Sequence, residues 1–317
     1  MKLTGKVLAL LVTICVGQVA RAKQLSTPNY WPTQAWRSQS LEKAGFDKSK
    51  FQKVLDYVWE DKGNHKSDAF VVIKDGYVVY EGYDRGYSPT KKHMFWSFSK
   101  SLTSTLIGAA VHKGILSLET QARDYYPEMN RPKAKDVTLR HILNMSSGFK
   151  FYEENPVNIA LSDSIFVYYA KDAYKDVALK VAKTKMKFAP DEQFNYGTHE
   201  PMLAMGILKK AIGDIKKYED FPFNALLNPL NMKSVVIERD QSKTFLGGSG
   251  GWGVAKDFAK IGFLMLNDGL WEGKRILPKN WVKFATQTVA PAQLKRTSDY
   301  GQQRLNVESY GAIRSSK

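Results

Sequence analysis

An α+β fold is predicted by three features of the sequence. Residues 69–73 and 77–80 are β-branched and aromatic runs joined by Asp75-Gly76, the strongest short-range hairpin signal in the chain. Segments with apolar residues every three or four positions recur between residues 48 and 286, as helices require. The 317 residues are 43% hydrophobic, enough to bury the core of one large domain or two interleaved ones.

In chain order, Lys2 and Lys6 precede an apolar run from Val7 to Val16, and Ala20-Arg21-Ala22 offers a small-x-small cleavage site. Residues 1–22 are therefore predicted to be a secretory leader cut after Ala22, making the mature protein periplasmic or secreted. The run is too short to span a bilayer comfortably, so no stable membrane span is expected. Cys15, the single cysteine, leaves with the leader, and the mature chain has no disulfide or thiol chemistry. Losing Lys2, Lys6 and Arg21 lowers the formal charge from +16 to +13. The lysines are spread along the chain and no nucleic-acid motif accompanies them, so the charge reads as a solvated surface rather than a nucleic-acid site.

Residues 23–48, with Tyr30-Trp31-Pro32 and Trp36, are predicted to form an extended arm laid on the body. A helix follows over 48–60, with Phe51, Val54, Leu55 and Val58 on one face, and then the hairpin. After a loop over 84–93, a strongly helical segment runs from Ser97 to Lys113 and is closed by Gly114. Further helices are expected at 137–145, 172–185, 199–212, 223–232, 255–267 and 281–286. Extended pieces are expected at 193–196, 235–238 and 272–278, and Gly247–Gly253 reads as a glycine-rich turn. No Lys-Ser/Thr follows that turn and no buried strand precedes it, which argues against a phosphate cradle.

The chemistry centres on Phe95-Trp96-Ser97-Phe98-Ser99-Lys100. A spacing of three places Ser97 and Lys100 on one helix face, a turn apart. A serine is a poor nucleophile until a neighbour accepts its proton, and a lysine amine can do so once burial lowers its pKa. The alternative from local features is a serine capping an ordinary core helix, with a solvated lysine. The five histidines show no ligand spacing, so neither a metal nor a cofactor is predicted.

Five pieces together resemble the serine hydrolases of the class C β-lactamase type, a family that includes DD-peptidases, esterases and aminohexanoate-oligomer hydrolases. They are Phe95–Lys100, Thr138–Gly148, Phe194–Thr198, Asn228–Met232 and Gly250–Lys260, in the family's order. The tryptophan and Ser-Phe-Ser-Lys pattern is most similar to the aminohexanoate-oligomer hydrolase and esterase branch. The resemblance implies an antiparallel sheet with helices on both faces plus an all-helical region, spanning residues 23–301 and followed by an atypical tail over 302–317. It implies Ser97 as acylated nucleophile, Lys100 as its base and Tyr196 as a proton relay, acting on a small amide, ester or peptide. Thr198 stands where the family usually has Asn, and is expected to contact substrate, as are Ser249, Gly250 and Gly251. Tyr196 as a core aromatic at a strand end is the alternative.

Two sequences imitate other family elements: Ser162-Asp163-Ser164, in a charged and expectedly exposed stretch, and His112-Lys113-Gly114, at the end of the nucleophile helix. Neither is expected to be catalytic. The family's third element, a Lys- or His-x-Gly strand after Trp281 that completes the oxyanion hole, is not found in the sequence. The expectation is a shortened chain with its C-terminal strands missing, half its oxyanion hole absent and an open edge on the 70–80 hairpin. The rival expectations are a non-catalytic penicillin-binding relative or inactive fragment, and a basic envelope-binding protein.

Overall fold

The computed structural model describes residues 30–60, 66–153, 162–164, 173–286 and 295–296. The leader, the start of the arm, the tail and most of the stretch expected to carry the third element lie outside the described residues.

α1 (Lys48–Trp59) begins where the Asp47 carboxylate accepts the Lys50 N–H at 2.9 Å, an N-cap that satisfies one otherwise unpaired amide. Phe51 is its one buried residue, while Val54, expected on the inner face, is 43% exposed. The apolar stripe is wider than the surface that covers it. β1 (Ala69–Lys74) and β2 (Tyr77–Tyr83) pair antiparallel from Ala69↔Tyr83 to Lys74↔Tyr77. Asp75 (φ +50°) and Gly76 (φ +87°) both lie in the left-handed region, as a two-residue turn of primed type demands. Successive strand residues face opposite sides. Tyr80 accordingly meets Phe51 and Trp59 of α1, and Glu81 pairs at 3.0 Å with Lys256 of a later helix. Helices thus cover both faces of the hairpin.

β3 (His93–Met94) leads through Phe95 and Trp96 into α2 (Phe98–His112), whose residues Ser99–Ala110 are buried except Ser104. A helix buried nearly all round must be central. α5 (His199–Ile212) packs against it, α3 (Leu139–Leu143) and α4 (Val177–Lys183) pack in turn on α5, and α4 is capped by Asp176, not continuous from residue 173. β4 (Gln193–Phe194) precedes α5. α6 (Ile215–Pro222), capped by Asp214, lies between the helices that the sequence predicts at 199–212 and 223–232. Pro222 has no N–H to close the preceding turn, and the chain continues as one π-helical turn over Phe223–Leu227, where the sequence predicts a new helix to residue 232.

β5 (Val236–Ile237) and β6 (Gly251–Gly253) complete a three-stranded sheet in the order β3-β6-β5, and α7 (Ala255–Leu266) follows. The glycine-rich segment therefore ends in a central strand and is not wholly a turn. A Cβ at Gly251 would lie 2.9 Å from Ser99 Oγ, so glycine here permits close approach of the strand to α2. β7 (Leu270–Trp271) and β8 (Lys274–Arg275) form a hairpin, α8 (Trp281–Thr286) packs on α2 at Gly108, and β9 (Lys295–Arg296) runs parallel to β4. No helix among the described residues is long and apolar enough to cross a membrane.

Gly148, at φ +88°, turns the chain after α3, and a Cβ there would sit 2.4 Å from the Phe188 carbonyl oxygen. Gly148→Ala is expected to destabilise the fold by about 2 kcal/mol or more, read as a lower urea midpoint at unchanged slope. An unchanged midpoint would contradict this reading of the turn.

Candidate active site

Ser97 is the N-cap position of α2, yet its side chain makes no capping hydrogen bond. The hydroxyl is exposed and instead accepts a hydrogen bond from Lys100 Nζ at 2.9 Å. Trp96, immediately before it, is held at φ +46°, a conformation that costs a bulky residue on the order of 1–3 kcal/mol. β6 holds this arrangement from behind. The Gly251 carbonyl accepts the Phe95 N–H at 2.9 Å, and the Gly251 N–H donates to Ser99 Oγ at 3.0 Å. Phe98 packs edge-on against Phe258 of α7 at 4.9 Å.

Lys100 is 2% exposed. Its ammonium is surrounded by three acceptors: Ser97 Oγ at 2.9 Å, Thr198 Oγ1 at 3.1 Å and the Gly248 carbonyl at 2.9 Å. Burial lowers its pKa to about 8, against the opposing pull of the Glu153 carboxylate. At that value roughly a tenth of the amine is unprotonated at pH 7 and about half at pH 8, far more than an exposed lysine provides. The Tyr196 ring centroid lies 4.9 Å from the same nitrogen, and Asn195 ties this segment to the neighbouring loop by donating to the Phe151 carbonyl at 2.9 Å.

Thr198, the N-cap position of α5, is buried, and both its groups engage Glu153. The hydroxyl donates to Oε1 at 2.5 Å and the backbone N–H donates to Oε2 at 2.7 Å. A carboxylate at a helix N-terminus is favoured by the partial positive charge there. The loop carrying Glu153 is anchored in turn by Ser162–Ser164: Ser164 Oγ donates to the Glu153 carbonyl at 2.7 Å, and Asp163 accepts the Tyr152 N–H at 2.7 Å. Ser162, expected to be exposed, is fully buried. Its charged sequence neighbours hide a packing role. His112, by contrast, is exposed at the far end of α2.

The structure thus brings Ser97, Lys100, Tyr196 and Thr198 together. Of the glycine-rich segment, Ser249 is half-buried, while Gly250 and Gly251 are buried and hydrogen-bonded to Leu246, Glu238, Phe95 and Ser99. Two participants escaped sequence reasoning. Gly248 acts through its carbonyl, which no side-chain pattern reveals, and Glu153 sits in an irregular loop with no periodicity to mark it.

His199 and Glu200 follow Thr198 into the core, each 1% exposed. Burial, reinforced by the nearby Lys100 charge, pushes the His199 imidazole down to about 3, and the ring stacks on Phe151 at 3.8 Å. Burial also raises the Glu200 carboxyl well above its ordinary range, although it accepts the Ser147 hydroxyl at 2.6 Å. A ring whose pKa is lowered to about 3 is too weak a base to take a proton near neutrality, so the candidate base beside Ser97 is the amine and not this imidazole.

The chain resembles the curated 6-aminohexanoate-dimer hydrolase of Paenarthrobacter ureafaciens, with 23% identity over 222 residues covering 68% of this chain. It spans only 56% of that relative's length. Among solved structures it superposes on a provisionally assigned beta-lactamase from Bacteroides dorei, with TM-score 0.63, 19% identity, and 80% and 73% of the two chains covered. A provisionally assigned 6-aminohexanoate-dimer hydrolase from Bacillus anthracis gives TM-score 0.62 at 20% identity, covering 83% and 70%. These likenesses establish the β-lactamase/DD-peptidase-like fold that the sequence motifs imply. The beta-lactamase family profile matches residues 49–303, four fifths of the sequence and the whole site just described, and the chain belongs to that family.

Proposed function

We propose that this chain is a serine hydrolase that cleaves an amide or ester bond through an acyl-enzyme on Ser97. One observation carries the reading: a buried amine with pKa about 8 lies 2.9 Å from an exposed serine hydroxyl. Ser97 Oγ bonds to the substrate carbonyl carbon as its proton passes to the unprotonated Lys100 nitrogen. The developing oxyanion takes the Ser97 backbone N–H, which has no acceptor among the described residues. The carbon–nitrogen or carbon–oxygen bond to the leaving group then breaks, and that group receives the proton by way of Tyr196. Water repeats the sequence on the acyl-enzyme, releasing the acid and restoring Ser97.

The curated relative's name supports a small linear amide as substrate, and 6-aminohexanoate dimer, p-nitrophenyl esters, a cephalosporin and D-amino-acid amides form the panel to assay. We further propose export on the leader expected over residues 1–22. Recovered mature protein beginning at Lys23 supports this, and cytoplasmic protein retaining Met1 contradicts it.

Labelling with a fluorophosphonate, followed by peptide mapping, tests the reading without knowledge of the substrate. A covalent adduct on Ser97 is expected. Because Lys100 serves as base only when unprotonated, the labelling rate should rise as pH increases through about 8 and level off above. An adduct elsewhere, no adduct, or a rate that falls across this window contradicts it. A stable penicillin adduct without turnover would favour the non-catalytic penicillin-binding relative.

A further inference from the structure

We propose that Glu153 is a positioning residue for acyl transfer: by holding the Thr198 hydroxyl proton, it leaves Ser97 Oγ, of the three oxygens that Lys100 Nζ contacts among the described residues, as the one toward which the unprotonated amine aims its lone pair. The proposal deepens the reading above and rests on Lys100 being the base for Ser97.

As an ammonium, Lys100 has three N–H groups and three acceptors within 3.1 Å. As an amine it keeps two N–H groups and gains one lone pair, and catalysis requires that lone pair to face Ser97 Oγ. The Gly248 carbonyl can only accept, so it takes one N–H. The Thr198 hydroxyl could do either: accept the second N–H, or donate its own proton into the lone pair. If it donated, Ser97 would receive an N–H, the wrong polarity for a base.

Glu153 removes that choice. An ionised carboxylate only accepts, and Oε1 lies 2.5 Å from Thr198 Oγ1, so the hydroxyl proton lies on that bond and the threonine oxygen turns a lone pair to Lys100. Oε2 takes the Thr198 N–H at 2.7 Å, a second point of attachment that fixes the carboxylate. Its own segment is held through Ser164 and Asp163. Where the family resemblance implies Asn, a carboxamide would present Lys100 with an oxygen that cannot donate. A threonine hydroxyl lacks that constraint, and Glu153 supplies it.

Charge works in the opposite direction. Among the described residues the titratable groups facing Lys100 are Glu153, Tyr196 and His199, and of these the Glu153 carboxylate favours the protonated, inactive amine. Glu153→Gln should therefore show two effects at once. Its single acceptor oxygen is claimed by the immovable Thr198 N–H, its amide then donates to Thr198 Oγ1, and the hydroxyl proton is freed toward Lys100, slowing acylation. Loss of the negative charge meanwhile moves the acidic limb to lower pH.

The test is the pH-dependent rate of Ser97 labelling by a fluorophosphonate, measured on the full chain. E153Q is expected to lower the plateau rate about 10- to 100-fold, less than the roughly 10²- to 10⁴-fold lost with the base itself, with its midpoint below the wild-type value. T198V should lose a similar factor and T198S should recover most of it. In the E153Q/T198V double variant, the Glu153 change should add less than about 3-fold, because residues acting through one contact are not additive. Multiplying losses, or a midpoint that stays or rises in E153Q, would overturn the proposal. T198V labelling as fast as wild type overturns it too, whatever E153Q does. Failure of wild type to label at Ser97 is a separate result: it removes the reading on which the proposal rests.

Discussion

Ser97→Ala is expected to lower kcat by on the order of 10⁶-fold, the scale seen when a serine hydrolase loses its nucleophile, while leaving the fold unchanged. The hydroxyl is exposed, makes no capping bond and among the described residues has Lys100 as its partner, whose lost acceptor water replaces at this exposed position. Stability should stay within about 0.5 kcal/mol of wild type. A serine that merely capped α2 would behave in the opposite way, costing about 1 kcal/mol on truncation and leaving turnover intact. Parallel measurement of kcat and the urea midpoint separates the two, and retained activity in the alanine variant excludes Ser97 as nucleophile.

Lys100→Met comes second in size. It keeps the apolar stem and removes the amine, and is expected to lower acylation by about 10²- to 10⁴-fold, the usual contribution of a positioned base. The rise of rate with pH near 8 should vanish with it. Stability provides an independent check. The unfolded chain binds this proton up to its ordinary pKa of 10.5, whereas the folded chain releases it at about 8. Between those values the unfolded state holds more protons, so wild-type stability rises with pH there and falls as pH is lowered toward 8. Relative to Lys100→Met, wild type should gain roughly 3 kcal/mol across that window. Parallel curves for the two proteins would mean that the amine is not desolvated.

The legible parts of this molecule are those where one local rule decides. Asp75-Gly76 predicts the hairpin because only such residues enter the left-handed region twice in succession at little cost. Ser97 and Lys100 are legible because helical geometry converts a spacing of three into a contact, and the motif order then implicates Tyr196 and Thr198 across nearly a hundred residues. The glycines at 250–253 suggest a turn, but whether a glycine bends a chain or lets two elements approach depends on the partner, here Ser99 of α2. The same holds for Ser162, polar in a charged stretch yet buried beside Ser164, whose hydroxyl donates to the Glu153 carbonyl. Glu153 itself lies 45 residues from Thr198 in sequence, and only the tertiary fold joins them. Gly248 contributes a backbone atom that any residue type possesses.

The measurement closest to the central claim is the titration of Lys100 itself, followed by NMR on intact protein carrying isotope-labelled lysine, with Lys100→Met used to assign the signal. A midpoint near 8 is expected, coincident with the rise in the Ser97 labelling rate. A midpoint near the ordinary 10.5 would leave the amine protonated through the neutral range and contradict its role as the base for Ser97.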